Sequence, residues 1–147
     1  MGLLLRVTQG IFSGANASPF PTMQVGGNGG APPGPFLSLA MPAVAAPLIE
    51  EFFFRAVLLV TIFQLLRRSV GVISAATTAL IGSSGAFLLL HAMYAPLSLL
   101  DSAQLFLVGV GCGLVVMLTG RIWGAMLTHF VYNLTFLALI LVGTILG

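Results

Sequence analysis

From about Phe36 onward the chain is a succession of long apolar runs broken at only a few places. A helix that crosses a bilayer needs about 20 mostly apolar residues. Four runs approach that length, at about 36–66, 70–93, 102–119 and 122–146. The first has two candidate starts, Phe36 and Pro47, because interior prolines such as Pro42 and Pro47 kink or end helices. The second closes at Tyr94-Ala95-Pro96. The connections are short, so neighbouring helices should run antiparallel. The pattern predicts an all-α fold, a polytopic membrane helix bundle of about four transmembrane helices. Before it, residues 1–35 hold Gly26-Gly27-Asn28-Gly29-Gly30 and Pro32-Pro33-Gly34-Pro35. Such a stretch cannot bury a core and reads as a flexible N-terminal tail. Residues 36–147 then form one membrane domain.

Composition agrees. The chain is 59% hydrophobic and 5% charged, with a mean hydropathy of +1.14. Soluble domains carry about 25% charged residues. There is no lysine, and no basic stripe with interleaved aromatics, so nucleic acid is not an expected partner. The expected partners are the lipid bilayer and a protein or peptide substrate. Arg67-Arg68 and Arg121 lie in the first and third connections, and the positive-inside rule makes that side cytoplasmic. Asp101 and both termini then face the other side. The single cysteine, Cys112, sits in an apolar run and reads as a small packing residue. Gly109, Gly111 and Gly113 in the third helix, and Gly82, Gly85 and Ala86 in the second, mark close helix approach. The Gly109–Gly113 face is a candidate homodimer surface.

Against this background the polar residues stand out. Glu50, Glu51 and Arg55 lie in Pro47-Leu48-Ile49-Glu50-Glu51-Phe52-Phe53-Phe54-Arg55. Ionised groups inside a membrane are costly unless paired or solvated, and mark function by default. Glu51 and Arg55 share a helix face and can pair, which leaves Glu50 rotated away and free to work. Phe87 and His91 are one turn apart, so the ring can orient the imidazole. His129 and Asn133 present two polar groups on one face of the last helix. Taken singly, each is compatible with structure: an ion-pair clip, a core histidine, interhelical hydrogen bonding. Nearly every strongly polar side chain within the spans belongs to this set.

In order, Glu50-Glu51-x-x-x-Arg55, Phe87-x-x-x-His91 and His129-x-x-x-Asn133 on successive helices resemble the CPBP family. These are the CAAX-processing and bacteriocin-processing intramembrane proteases, also called the Abi family. The likeness extends over about Ala46 to Asn133 and beyond, including Pro47, Arg67-Arg68 and Thr119-Gly120-Arg121-Ile122-Trp123. Ala56 stands where the family usually has glycine. The family also usually carries further helices before the glutamate motif, where this chain has its Gly/Pro-rich stretch. The resemblance implies an endopeptidase of the bacterial cytoplasmic membrane acting on prenylated CAAX-type or leader-bearing substrates. It implies that Glu50 and His91 activate water, that His129 and Asn133 stabilise the oxyanion, and that Glu51, Arg55 and Phe87 support them.

Three other readings compete with this one. With a metal, Glu50, His91 and His129 would be three ligands of a catalytic zinc with an open position. The metal-free glutamate mechanism is favoured, because Asn133 is a poor zinc ligand and a good oxyanion donor, and no H-E-x-x-H helix is present. A rhomboid-like serine protease would use Ser84 in Gly82-Ser83-Ser84-Gly85, leaving Glu50, Glu51, Arg55 and His91 unexplained. A non-catalytic membrane immunity or scaffold protein of the same fold would have no reason to keep Glu50, His91, His129 and Asn133 together.

Overall fold

The computed structural model describes residues 44–94 and 96–146. The expected tail, the candidate start at Phe36 and the proline at Pro42 lie outside the described residues. Four helices make up nearly all of the described chain, and no strand occurs among the described residues. Helix α1 covers residues 44–66, with a π-helical stretch over Phe52–Leu59 between α-helical ends. Helix α2 is Val72–Tyr94, α3 is Leu99–Thr119 and α4 is Ile122–Leu146. Because the chain is already helical at residue 44, Pro47 is not the first residue of α1.

Helices α2 and α3, and residues Ile122–Leu139 of α4, are long and apolar enough to cross a membrane. These three stand out by length and composition. Helix α1 differs in carrying Glu50, Glu51, Arg55 and the π stretch. The described chain divides into two compact units, one within residues 47–129 and a second that holds residues 44–46 and 130–146. The first unit holds most of α1, all of α2 and α3, and the opening turns of α4 as far as His129.

Short polar devices set the helix ends. Helix α3 begins three residues before the expected Ser102, because Ser98 and Asp101 form a capping box. The Asp101 amide donates to Ser98 Oγ at 3.1 Å, and the Ser98 amide donates to the Asp101 carboxylate at 3.3 Å. Helix α3 stops at Gly120, whose φ of +66° is the left-handed geometry of a C-terminal cap.

Packing between helices depends on small residues, but fewer of them than the sequence suggests. A Cβ on Gly109 would lie 3.0 Å from Ser84 Cβ and 3.2 Å from Ser84 Cα, so the α2 and α3 backbones meet here. One turn along, a Cβ on Gly113 would reach the Leu80 and Leu59 methyls. Gly85 and Gly111 have nothing within 4 Å of the same position, so these two do not serve the packing assigned to them. The Gly109–Gly113 face is therefore filled within the chain, and a homodimer would have to use another surface. On the other flank of α3, Cys112 and Val116 pack against Ala125 of α4, with Val108 beside them. Cys112 is a buried free thiol whose Sγ donates to the Ala125 carbonyl at 3.6 Å, in keeping with a packing role.

Candidate active site

The site is built on one face of α1. Residues Pro47, Glu51, Phe54, Arg55 and Leu59 of that helix are buried, while Phe52 and Phe53 turn outward. The three consecutive phenylalanines thus divide between core and surface. The widened turn begins directly after Glu51, and π turns within α-helices concentrate at functional sites. The irregular backbone is tied to its neighbour: Ser83 Oγ of α2 donates to the Phe54 carbonyl at 2.8 Å. Hydroxyl groups from adjacent helices are the usual means of satisfying such backbone inside a membrane.

Glu51 and Arg55 are both fully buried, with Arg55 Nε 3.0 Å from Glu51 Oε2. The distance is that of an ion pair, but the N–H is too bent for a hydrogen bond, so Oε2 and Nε count only as charge partners. Arg55 is anchored elsewhere by Nη2, which donates to the Gly109 carbonyl of α3 at 3.1 Å. Its guanidinium carbon also lies 4.9 Å from the centre of the Phe87 ring, in cation–π range. The close approach at Gly109 therefore serves the site too, since it brings that carbonyl within reach of the arginine.

The other Glu51 oxygen has a partner that sequence reasoning missed. His129 Nδ1 and Glu51 Oε1 are 2.8 Å apart. A carboxylate accepts, so Nδ1 carries the proton and donates. Glu51 thus joins Arg55 to His129 and fixes the imidazole, leaving Nε2 to face the working side. There it stands 3.7 Å from Glu50 Oε2. Glu50 keeps partial exposure, 21% for its side chain against none for Glu51. The division between a structural Glu51 and a freer Glu50 matches the helical register argument.

His91 is held by its own turn. Its Nδ1 lies 2.9 Å from the Phe87 carbonyl, which can only accept, so Nδ1 donates and Nε2 bears the free lone pair. The Phe87 ring lies 4.5 Å from the His91 ring and 5.5 Å from the His129 ring, centre to centre. One buried phenylalanine therefore touches both histidines. Glu50, Glu51, Arg55, Phe87, His91 and His129 come together within the unit 47–129. Asn133 belongs to the second unit, one turn beyond His129 on α4.

Ser84 is buried against Gly109 and its hydroxyl has no hydrogen-bond partner among the described residues, so neither described histidine serves it as a base. Among the described residues no three His, Cys, Asp or Glu side chains are grouped as a metal ion would require. Glu50, His91 and His129 therefore do not fit the zinc arrangement as they stand. Sequence reasoning also overlooked one polar side chain, Gln104 of α3, which is buried with its amide nitrogen unpaired among the described residues. A lone glutamine in an apolar run was signal enough to find it.

Comparison with known protein families gives a match. The model of the family described as type II CAAX prenyl endopeptidase Rce1-like matches residues 32–135. That span contains every residue of the candidate site. Neither the curated proteins nor the solved structures hold a match to this chain.

Proposed function

Since the chain belongs to the Rce1-like family of type II CAAX prenyl endopeptidases, an integral-membrane protease family, we propose that it is an intramembrane endopeptidase working through water activated by Glu50 and His91. The observation that carries this reading is the 3.7 Å approach of Glu50 Oε2 to His129 Nε2, with His91 against the same Phe87 ring as His129. Three helices contribute to it, as a cleft around one reacting bond demands.

In this reading a water lies between the Glu50 carboxylate and His91 Nε2. Glu50 takes one proton as the water oxygen attacks the scissile carbonyl carbon. The carbonyl electrons move to oxygen, and His129 Nε2–H donates to that oxyanion. When the oxyanion collapses, the C–N bond breaks and Glu50 returns its proton to the leaving amine. Glu50 is a general base and then a general acid, and needs no cofactor. One oxyanion donor is worth about 3 kcal/mol in other proteases. Donation from both His129 nitrogens belongs to the imidazolium, which this scheme sets between the Glu50 and Glu51 carboxylates. The substrate class that fits the family is a prenylated CAAX-type protein or peptide reached from the membrane.

The experiment is reconstitution in lipid vesicles with a fluorogenic prenylated peptide. Wild type should cleave it, and Glu50→Gln and His91→Ala should each lose at least about a hundredfold in kcat, the usual worth of a positioned acid or base. Equal rates in all three proteins would refute the protease assignment and favour the non-catalytic immunity or scaffold reading.

A further inference from the structure

Gln104 is the buried polar side chain of α3 to which the proposed mechanism gives no task. Only 4% of its surface is exposed, and its amide nitrogen donates to no protein group among the described residues. Buried donors are nearly always paired in native proteins, so an orphan calls for an explanation. A hydrophobic residue would fill the same space without the desolvation cost.

Its position along α3 follows from two sets of contacts. Gly109 lies beside Ser84 and Gly113 beside Leu80, so α2 and α3 run antiparallel in a fixed register. Extending that register by five residues brings the level of Gln104 to the segment between Phe87 and His91. On the other flank, Cys112 meets Ala125 and Gly124 lies against Val115. Extended one turn, this second register brings His129 to the level of Val108. Gln104 therefore lies at a depth between those of the two histidines. Helical spacing from Cys112 and Val108 turns it toward the flank of α3 that faces α4. A donor at this depth, unpaired and shielded from lipid, matches the need of an extended peptide. The main-chain carbonyls of such a peptide would otherwise enter the membrane unsatisfied.

We propose that Gln104 is a substrate-binding residue whose side-chain amide donates a hydrogen bond to a main-chain carbonyl of the bound peptide next to the scissile bond. This rests on the endopeptidase reading and extends it to α3, which otherwise contributes only the Gly109 carbonyl. Gln104 holds the peptide and performs no proton transfer.

The test uses the full chain in lipid vesicles and a series of prenylated peptides. In each peptide one carbonyl near the cleavage point is reduced to methylene. Gln104→Met keeps the length of the side chain and removes the donor; Gln104→Glu keeps its shape and replaces the donor with an acceptor. With the unmodified peptide both variants should raise KM about three- to tenfold, the worth of one neutral hydrogen bond, and change kcat less. One reduced peptide should bind wild type worse by a similar factor yet bind Gln104→Met no worse than the unmodified peptide does. The melting temperature of Gln104→Met should equal or exceed that of wild type, since an orphan donor is removed. Unchanged KM in both variants, or a reduced-peptide penalty that persists in Gln104→Met at every position, would overturn the proposal. If cleavage survives Glu50→Gln and His91→Ala, the protease reading itself falls. If those two abolish cleavage while Gln104→Met leaves KM untouched, only the role of Gln104 falls.

Discussion

The contact of α1 with α4 and the crossing of α2 with α3 hold the same unit together by opposite means. The first is made by charge and direction: Arg55, Glu51 and His129 in line, with Glu50 at the end. The second is made by the absence of side chains, where Gly109 lets α3 settle on the backbone of Ser84. Lipid tails are as apolar as the helices, so cohesion at this crossing comes from close van der Waals packing rather than from a hydrophobic drive. It cannot orient an imidazole. The ionic contact can, but it places buried charges whose removal from water is costly. The contrast teaches that α1–α4 is arranged for chemistry and α2–α3 for rigidity. The two are joined where Arg55 Nη2 meets the Gly109 carbonyl.

The contrast is broken most severely by removing one partner of the buried pair. Arg55→Met leaves Glu51 charged and unpaired in the core, and should cost about 3–5 kcal/mol. Thermal unfolding in lipid nanodiscs should show it as the largest drop of any single substitution in the site, with proteolysis lost as well. A stable Arg55→Met protein would mean that the ion pair does not organise the fold.

The crossing should respond less, and unequally. Gly109→Ala drives a methyl group against Ser84 Cα and Cβ, backbone-level atoms that cannot rotate away. It should cost about 1–3 kcal/mol and also loosen Arg55. Gly113→Ala meets chiefly the end of the Leu80 side chain, which can turn aside, so its loss of stability should be the smaller. The reverse order would show that the helices meet elsewhere. Smallest of all should be Ser83→Ala, which removes one hydrogen bond to the Phe54 carbonyl and should cost about 1 kcal/mol. Any larger loss there would mean that the π stretch depends on that hydroxyl for its existence.

Much of this architecture is legible in the sequence. Apolar run lengths place the ends of α2, α3 and α4 to within three residues, because a spanning helix has little freedom in length. The Glu51–Arg55 pair follows from spacing, and the Phe87–His91 contact likewise. The hidden features are hidden for physical reasons. The π stretch over Phe52–Leu59 has no local signature; its buried residues Phe54, Arg55 and Leu59 meet α2 and α3, which are distant in sequence. The second partner of Glu51, His129, is 78 residues away in sequence, and no periodicity reports such a pairing. Small residues announce that helices can approach but not which glycine is used, so Gly85 and Gly111 lack the contacts expected of them. The Ser98–Asp101 capping box is readable and moves the start of α3 to Leu99.

The central claim is that adjacent glutamates have separate tasks, Glu51 holding the site and Glu50 working in it. The direct measurement is the pair Glu50→Gln and Glu51→Gln, each tested for peptide cleavage and for melting temperature in the same lipid vesicles. The account predicts that both lose cleavage, while only Glu51→Gln lowers the melting temperature by several degrees, because only Glu51 is fully buried between Arg55 and His129. Equal destabilisation by both substitutions, or cleavage that persists in Glu50→Gln, would contradict it.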